Sequence, residues 1–122
     1  MSAITRIPSP LPAPFSKAVK AGGFLFLSGA LPMDAQGNVL DGDIQRQARL
    51  VLERISATLQ EQGTSMASVV KATVWLADLA DFNAFNEEYK KHFPEGLPVR
   101  SCVQSVLYKG AKVEIEVQAF VG

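Results

Sequence analysis

The stretch Pro98-Val99-Arg100-Ser101-Cys102-Val103-Gln104 holds the residues best suited to chemistry. It carries an arginine near its start and the chain's single cysteine two residues later. A guanidinium is a permanently charged planar fork that matches a carboxylate or a phosphate. Side chains alternate along a strand, so Arg100, Cys102 and Gln104 share one face, and Val99, Ser101 and Val103 share the other. A second alternating run follows. Val113, Ile115, Val117, Ala119 and Val121 make an oily face, and Glu114, Glu116 and Gln118 make a charged one. These two runs are expected to be neighbouring strands of a hairpin, turning between Tyr108 and Lys112 at Gly110. An odd-length loop or a bulge at Gly110 then brings Arg100 and Glu114 to one face.

The rest of the chain must position these residues. Ala3 to Ile7 reads as a short strand, and Pro8, Pro10, Pro12 and Pro14 then make an extended arm ending at Phe15-Ser16. Lys17 to Ala21 and Phe24 to Ser28 read as two strands around Gly22-Gly23. Phe24-Leu25-Phe26-Leu27 is apolar on both faces, which predicts a buried central strand. From Asp43 to Gln62 the period becomes helical, with Ile44, Ala48, Val51, Leu52, Ile55 and Leu59 on one stripe. Asp41 or Asp43 caps its start and Gly63 stops it. Val69 to Ala77 is a strand with Val70, Ala72, Val74 and Leu76 on one face and Lys71, Thr73 and Trp75 on the other. A second helix runs from Ala80 to Phe93, with Asp78 as its cap and Phe82, Phe85, Tyr89 and Phe93 as its stripe.

This order implies an α+β sandwich, a mixed sheet with two helices packed on one face. The opposite face would carry Lys71, Thr73, Trp75, Arg100, Cys102, Gln104, Glu114, Glu116 and Phe120. That face is too polar for a second core, yet Trp75 and Phe120 are poor residues to leave in water. A covering subunit resolves the conflict, so a homo-oligomer is expected.

The chain has 122 residues, with twelve basic residues against twelve acidic ones. That length fits a single domain over residues 1–122. Balanced charge gives no electrostatic footprint for nucleic acid. One cysteine excludes an internal disulfide and a cysteine-cluster metal site. No apolar run approaches the roughly 20 residues of a membrane span, and no signal-peptide pattern opens the chain. The expected compartment is the cytoplasm.

Several motifs, taken in order, carry a family resemblance. They are Phe15-Ser16-Lys17-Ala18-Val19, Phe26-Leu27-Ser28-Gly29, Val70 to Leu76, Asp81-Phe82 through Asn86-Glu87, Pro98 to Val103, and Val113 to Glu116. Together they resemble the RidA/YjgF reactive intermediate deaminases, also labelled L-PSP endoribonucleases. The resemblance covers nearly the whole chain. It implies a chorismate-mutase-like fold and a homotrimer with ligand clefts between subunits. It implies hydrolysis of enamine or imine intermediates of the 2-aminoacrylate type to 2-keto acids and ammonia, with no cofactor. By the same resemblance Arg100 anchors the substrate carboxylate, Glu114 holds or activates water, and Ser28, Asn86 and Cys102 line or support the cleft. Phe15 stands where relatives commonly have tyrosine, and Ala30 where a polar residue often follows the Ser-Gly pair. Both departures imply a shifted substrate range or reduced activity.

Structural readings stand beside these. Arg100 could form an ion pair with Glu114 or Glu116. Cys102 is more often a small buried hydrophobe than a nucleophile. Ser28 could cap a strand end, and Asn86 could bond backbone. His92, near a helix end, suits compensation of the helix dipole. A non-catalytic module that binds a 2-keto acid or another small carboxylate is the first alternative function. An endoribonuclease is the weaker one, because no histidine-based acid/base pair is present.

Overall fold

A computed structural model describes residues 3–122. Six strands form one sheet: β1 (Thr5–Pro8), β2 (Ser16–Ala21), β3 (Phe24–Leu27), β4 (Val69–Leu76), β5 (Val99–Gln104) and β6 (Val113–Phe120). Their order across the sheet is β1-β2-β3-β6-β4-β5. All pairs are antiparallel except β4 with β5, which is parallel. The two helices, α1 (Ile44–Glu61) and α2 (Phe82–Tyr89), pack on one face, as the α+β reading expects.

The helices start and stop for local reasons. Asp43 caps α1 by accepting from the Arg46 N–H at 2.9 Å, which satisfies one of its orphan donors. At the far end Gly63 takes φ +80, and the Thr64 N–H turns back to the Leu59 carbonyl. The second helical segment is less regular than its sequence implies. Single 3₁₀ turns, Leu79–Asp81 and Lys90–His92, flank an α-helix of only eight residues.

Between helices and sheet lies the core. Val51, Leu52, Ile55 and Leu59 of α1 and Phe85 of α2 meet Ala72, Val74, Leu76, Val113, Ile115 and Val117. Burying each large apolar side chain contributes roughly 1.5–3 kcal/mol. Leu52 has no exposed surface, so Leu52→Ala would cost about 2–5 kcal/mol. Gln47 is buried but satisfied. Its amide donates to the Leu40 carbonyl and its oxygen accepts from the Lys112 N–H. An ion-paired cluster joins the helices: buried Glu88 accepts from Arg49 at 3.1 Å and contacts His92 at 2.7 Å. His92 therefore faces a carboxylate and not the helix terminus alone.

Three sequence expectations are corrected. First, the last two strands do not form a hairpin. β5 returns through α2 to lie parallel beside β4, as a strand–helix–strand unit does. Residues 105–112 then cross the end of β4, where the Ser105 N–H donates to Leu76 and the Ala77 N–H to Lys112, and β6 takes the other side of β4. Second, Val70 does not face inward. A bulge between Val69 and Lys71 places Val69 in the core at 6% exposure and leaves Val70 outside at 41%. Third, Arg100, Cys102 and Gln104 are not on the open face. They pair with Ala72, Val74 and Leu76, the inward residues of β4, so they lie on the helix side.

The open face keeps Lys71, Thr73, Trp75, Glu114, Glu116 and Phe120. β3 is an interior strand, yet Phe24 and Phe26 lie exposed on this face in the single chain. The Phe24 ring sits 5.4 Å from Phe120 and 6.3 Å from Phe26.

Candidate active site

Arg100 sits on β5, whose outer edge pairs with no strand among the described residues. Its neighbour across the ladder is Ala72, which is small and fully buried. The guanidinium therefore lies under α2, against that helix's aromatic stripe. Its carbon is 4.8 Å from the Tyr89 ring centroid, 5.5 Å from Phe82 and 5.7 Å from Phe85. These faces attract a cation without neutralising it. Nη1 donates to Asn86 Oδ1 at 2.8 Å. Among the described residues no carboxylate lies in ion-pair range of Arg100, so the expected structural alternative, a pair with Glu114 or Glu116, is not formed.

Arg100, Asn86 and Tyr89 border a cavity of about 260 Å³, closed on another side by Leu97 and Pro98. The buried Tyr89 hydroxyl has no hydrogen-bond partner among the described residues. Burial pushes its pKa up to about 12 despite the opposing charge of Arg100, so it stays a proton donor. Cys102 follows on the same face, half-buried. Burial raises its pKa more than Arg100 lowers it, so the thiol is not activated as a nucleophile. Gln104 is taken up structurally: its side-chain oxygen accepts from the Leu79 N–H at 2.9 Å.

The other predicted residues gather elsewhere. Phe15 and Ser28 border a second cavity, of about 250 Å³, between the proline arm, the end of β3 and α1. The Phe15 ring is 56% exposed. The Ser28 hydroxyl donates to the Ser16 carbonyl at 2.6 Å, which ties the arm to the end of β3. Beyond Ser28 the chain passes Gly29, where an added Cβ would collide with Glu114 Oε2 and push that carboxylate aside. The missing side chain is what lets the Glu114 carboxylate lie against the backbone. Burial, and then the like charge of Glu116, raise the Glu114 pKa above its ordinary value.

Asn86 and Arg100 thus border one cavity, with Cys102 on the same strand face, and Phe15 and Ser28 border the other, with Glu114 against Gly29 of its lining. The expectation that Arg100 and Glu114 share a face is overturned. Glu114 pairs with Trp75 and Arg100 with Ala72, and these two β4 residues point to opposite sides. Two further polar residues carry little sequence signal. Tyr89 falls on the apolar stripe of its helix, and nothing in the pattern marks its hydroxyl. Arg54 lines the second cavity. Its signal is weak: an arginine at helical spacing from Val51 and Thr58, on the flank of the apolar stripe. Among the described residues no cluster of His, Cys, Asp and Glu is placed to hold a metal, and no helix is long and apolar enough to cross a membrane.

The comparisons agree with one another. A sequence profile described as endoribonuclease L-PSP matches residues 7–121. A RutC family protein of Pyrococcus horikoshii is 44% identical over 115 residues, covering 93% of this chain and 90% of that protein. A 2-iminobutanoate/2-iminopropanoate deaminase of Capra hircus is 40% identical over 111 residues, covering 89% and 81%. The crystal structure of E. coli TdcF with bound serine superposes with a TM-score of 0.87 at 37% identity, covering 97% of this chain and 99% of that one.

Proposed function

The chain belongs to the endoribonuclease L-PSP family, the RidA/YjgF proteins, and from that premise we propose that it is a hydrolytic deaminase of 2-imino acids and their enamines. The observation that carries this reading is Arg100. It is a guanidinium held by one amide and three aromatic faces at a cavity edge, with no counter-ion among the described residues. Keeping such a charge half-buried and unpaired makes sense where a ligand carboxylate completes it. The deaminase name of the goat relative and the serine bound to TdcF support a small amino-acid-like ligand.

An imine carbon is already electrophilic, so the protein needs an anchor, a placed water and proton handling. Arg100 binds the carboxylate. Water adds to the imine carbon and gives a proton to Glu114, whose raised pKa suits it to that role. That proton passes to nitrogen to give the carbinolamine; Glu114 then takes the remaining hydroxyl proton and delivers it to the amine, so the C–N bond breaks, ammonia leaves and the C–O bond becomes a carbonyl. Arg100 and Glu114 lie on opposite faces of the sheet of one copy, so a site that uses both is assembled between copies. We place it in a homotrimer, with Arg100, Asn86 and Cys102 of one subunit facing Phe15, Ser28 and Glu114 of the next. The free edge of β5 and the uncovered Phe24, Phe26 and Phe120 support that assembly.

The test is turnover of imines made in situ from amino acids by an oxidase. Arg100→Ala should fold normally by circular dichroism and lose about 10²–10³ in kcat/KM. A folded variant with near wild-type turnover would make Arg100 structural.

Phe15 favours a second reading, a binding module for 2-keto acids without turnover, because its ring offers no hydroxyl to substrate or water. Calorimetric binding of 2-ketobutyrate with no imine hydrolysis by the wild type would select it. The ribonuclease activity in the family's description has little support, since His92, the single histidine, is occupied by Glu88.

A further inference from the structure

We propose that Arg54 is the anchor for a second, distal carboxylate, so that this protein prefers 2-imino dicarboxylic acids, the imines of glutamate- or aspartate-like amino acids, over monocarboxylic ones. The proposal rests on the deaminase reading above and adds a substrate class to it.

The cavity that takes Phe15 and Ser28 on its wall continues inward to α1, where Arg54 borders it. Most of the other lining is apolar: Leu11, Leu27, Leu31, Met33 and Ile55. Two cations reach this space. Lys17 already has a carboxylate, Glu61, at 2.9 Å. Arg54 has none among the described residues; its guanidinium donates through Nη1 to the Leu31 carbonyl. A guanidinium has five donors, so the others are left for a ligand. Desolvation already disfavours its charged form, but a guanidinium does not lose its proton in a protein at neutral pH. What relieves that cost is an anion. Apolar walls around one unneutralised fork suit a carboxylate at the end of a short carbon chain. A ligand whose first carboxylate meets Arg100 of one subunit can then extend past Phe15 to Arg54 of the next.

The experiment compares wild type, Arg54→Met and Arg54→Lys on the imines of glutamate and leucine, each generated by its own oxidase with catalase present. Binding of 2-ketoglutarate and 2-ketobutyrate is followed in parallel by calorimetry. Wild type should favour the dicarboxylate in both measurements. Arg54→Met should lose about 10- to 100-fold on the dicarboxylate alone, and Arg54→Lys should recover part of that preference. Equal losses on both substrates would mean that Arg54 only ties Leu31 to α1, and would overturn the proposal. So would a wild type that binds 2-ketobutyrate as tightly as 2-ketoglutarate, whatever the variants do. A binding preference without turnover would sink the deaminase reading and leave Arg54 as the anchor of a dicarboxylate-binding site. Turnover without the preference would do the reverse.

Discussion

Replacing Asn86 by aspartate should make the protein more stable and its ligand affinity worse. Asn86 Oδ1 stands 2.8 Å from Arg100 Nη1. An aspartate there would bring a full negative charge to the same spot, with almost the same shape and a similar helix propensity, so the change isolates charge. Exposed ion pairs contribute about 0–1 kcal/mol, and hydrogen bonds to charged groups about 1.5–3 kcal/mol. For a half-buried fork without another counter-ion we expect a gain of about 1 kcal/mol, or roughly 4 °C in Tm. A ligand carboxylate must then displace this internal anion. That costs about 1.5–3 kcal/mol, a 10- to 150-fold rise in Kd. Asn86→Ala is the control, since it removes the orienting bond without adding a competitor. It should lower Tm, and weaken binding severalfold less than Asn86→Asp does. Calorimetry with 2-ketobutyrate and thermal melts read both quantities. If Asn86→Asp binds as wild type does, Arg100 is not the carboxylate anchor and the argument from its missing counter-ion fails.

Light scattering at micromolar concentration should give a trimer, and Phe120→Glu, which places a charge beside Phe24, should reduce it to monomers; a stable wild-type monomer would refute the split site. The kcat/KM profile should rise with pH through a midpoint above 4.5, because Glu114 must be ionised to act as base and its pKa is raised. Glu116→Gln should move that midpoint down by removing the like charge, leaving only burial to hold it up; an unmoved midpoint would assign the limb to another group. Burial works against the charged form of Glu88, but the hydrogen bonds from His92 and Arg49 outweigh it and hold the carboxyl below its ordinary 4.5. Its stabilising contribution is therefore complete above pH 4.5 and is lost as pH falls through the depressed value, so Glu88→Gln should flatten the acid side of the Tm–pH curve. Phe15→Tyr should raise kcat/KM for the 2-aminoacrylate imine more than for apolar imines, and an equal change would make Phe15 packing only.

Much of the fold is written in local patterns. The helical stripe of α1 and the alternation of β6 are strong because their buried residues are almost all apolar, Val51, Leu52, Ile55 and Leu59 on the helix and Val113, Ile115, Val117 and Ala119 on the strand. Val70 misled because a bulge is a backbone event, and a valine on either side of it reads alike. Phe24 and Phe26 misled in another way: a strand apolar on both faces looks buried, whether its second cover is its own chain or another copy.

Alternation says which residues of a strand share a face, but neither which face nor which neighbour. Arg100, Cys102 and Gln104 stand opposite Val99, Ser101 and Val103, and polarity alone assigned the first set to the open side. The deciding information was the segment between β4 and β5. A strand, a helix and a strand joined by short links return parallel and adjacent, so β5 had to lie beside β4. Ala72 is then the residue beside Arg100, and the helix side follows from its burial. Glu114, facing Trp75, falls on the other side. An anchor and a base that one chain holds on opposite faces of its sheet can meet one small ligand only across a boundary between copies. On the proposed roles the oligomer is tied to catalysis itself, and a variant that dissociates it should lose turnover even with every site residue in place.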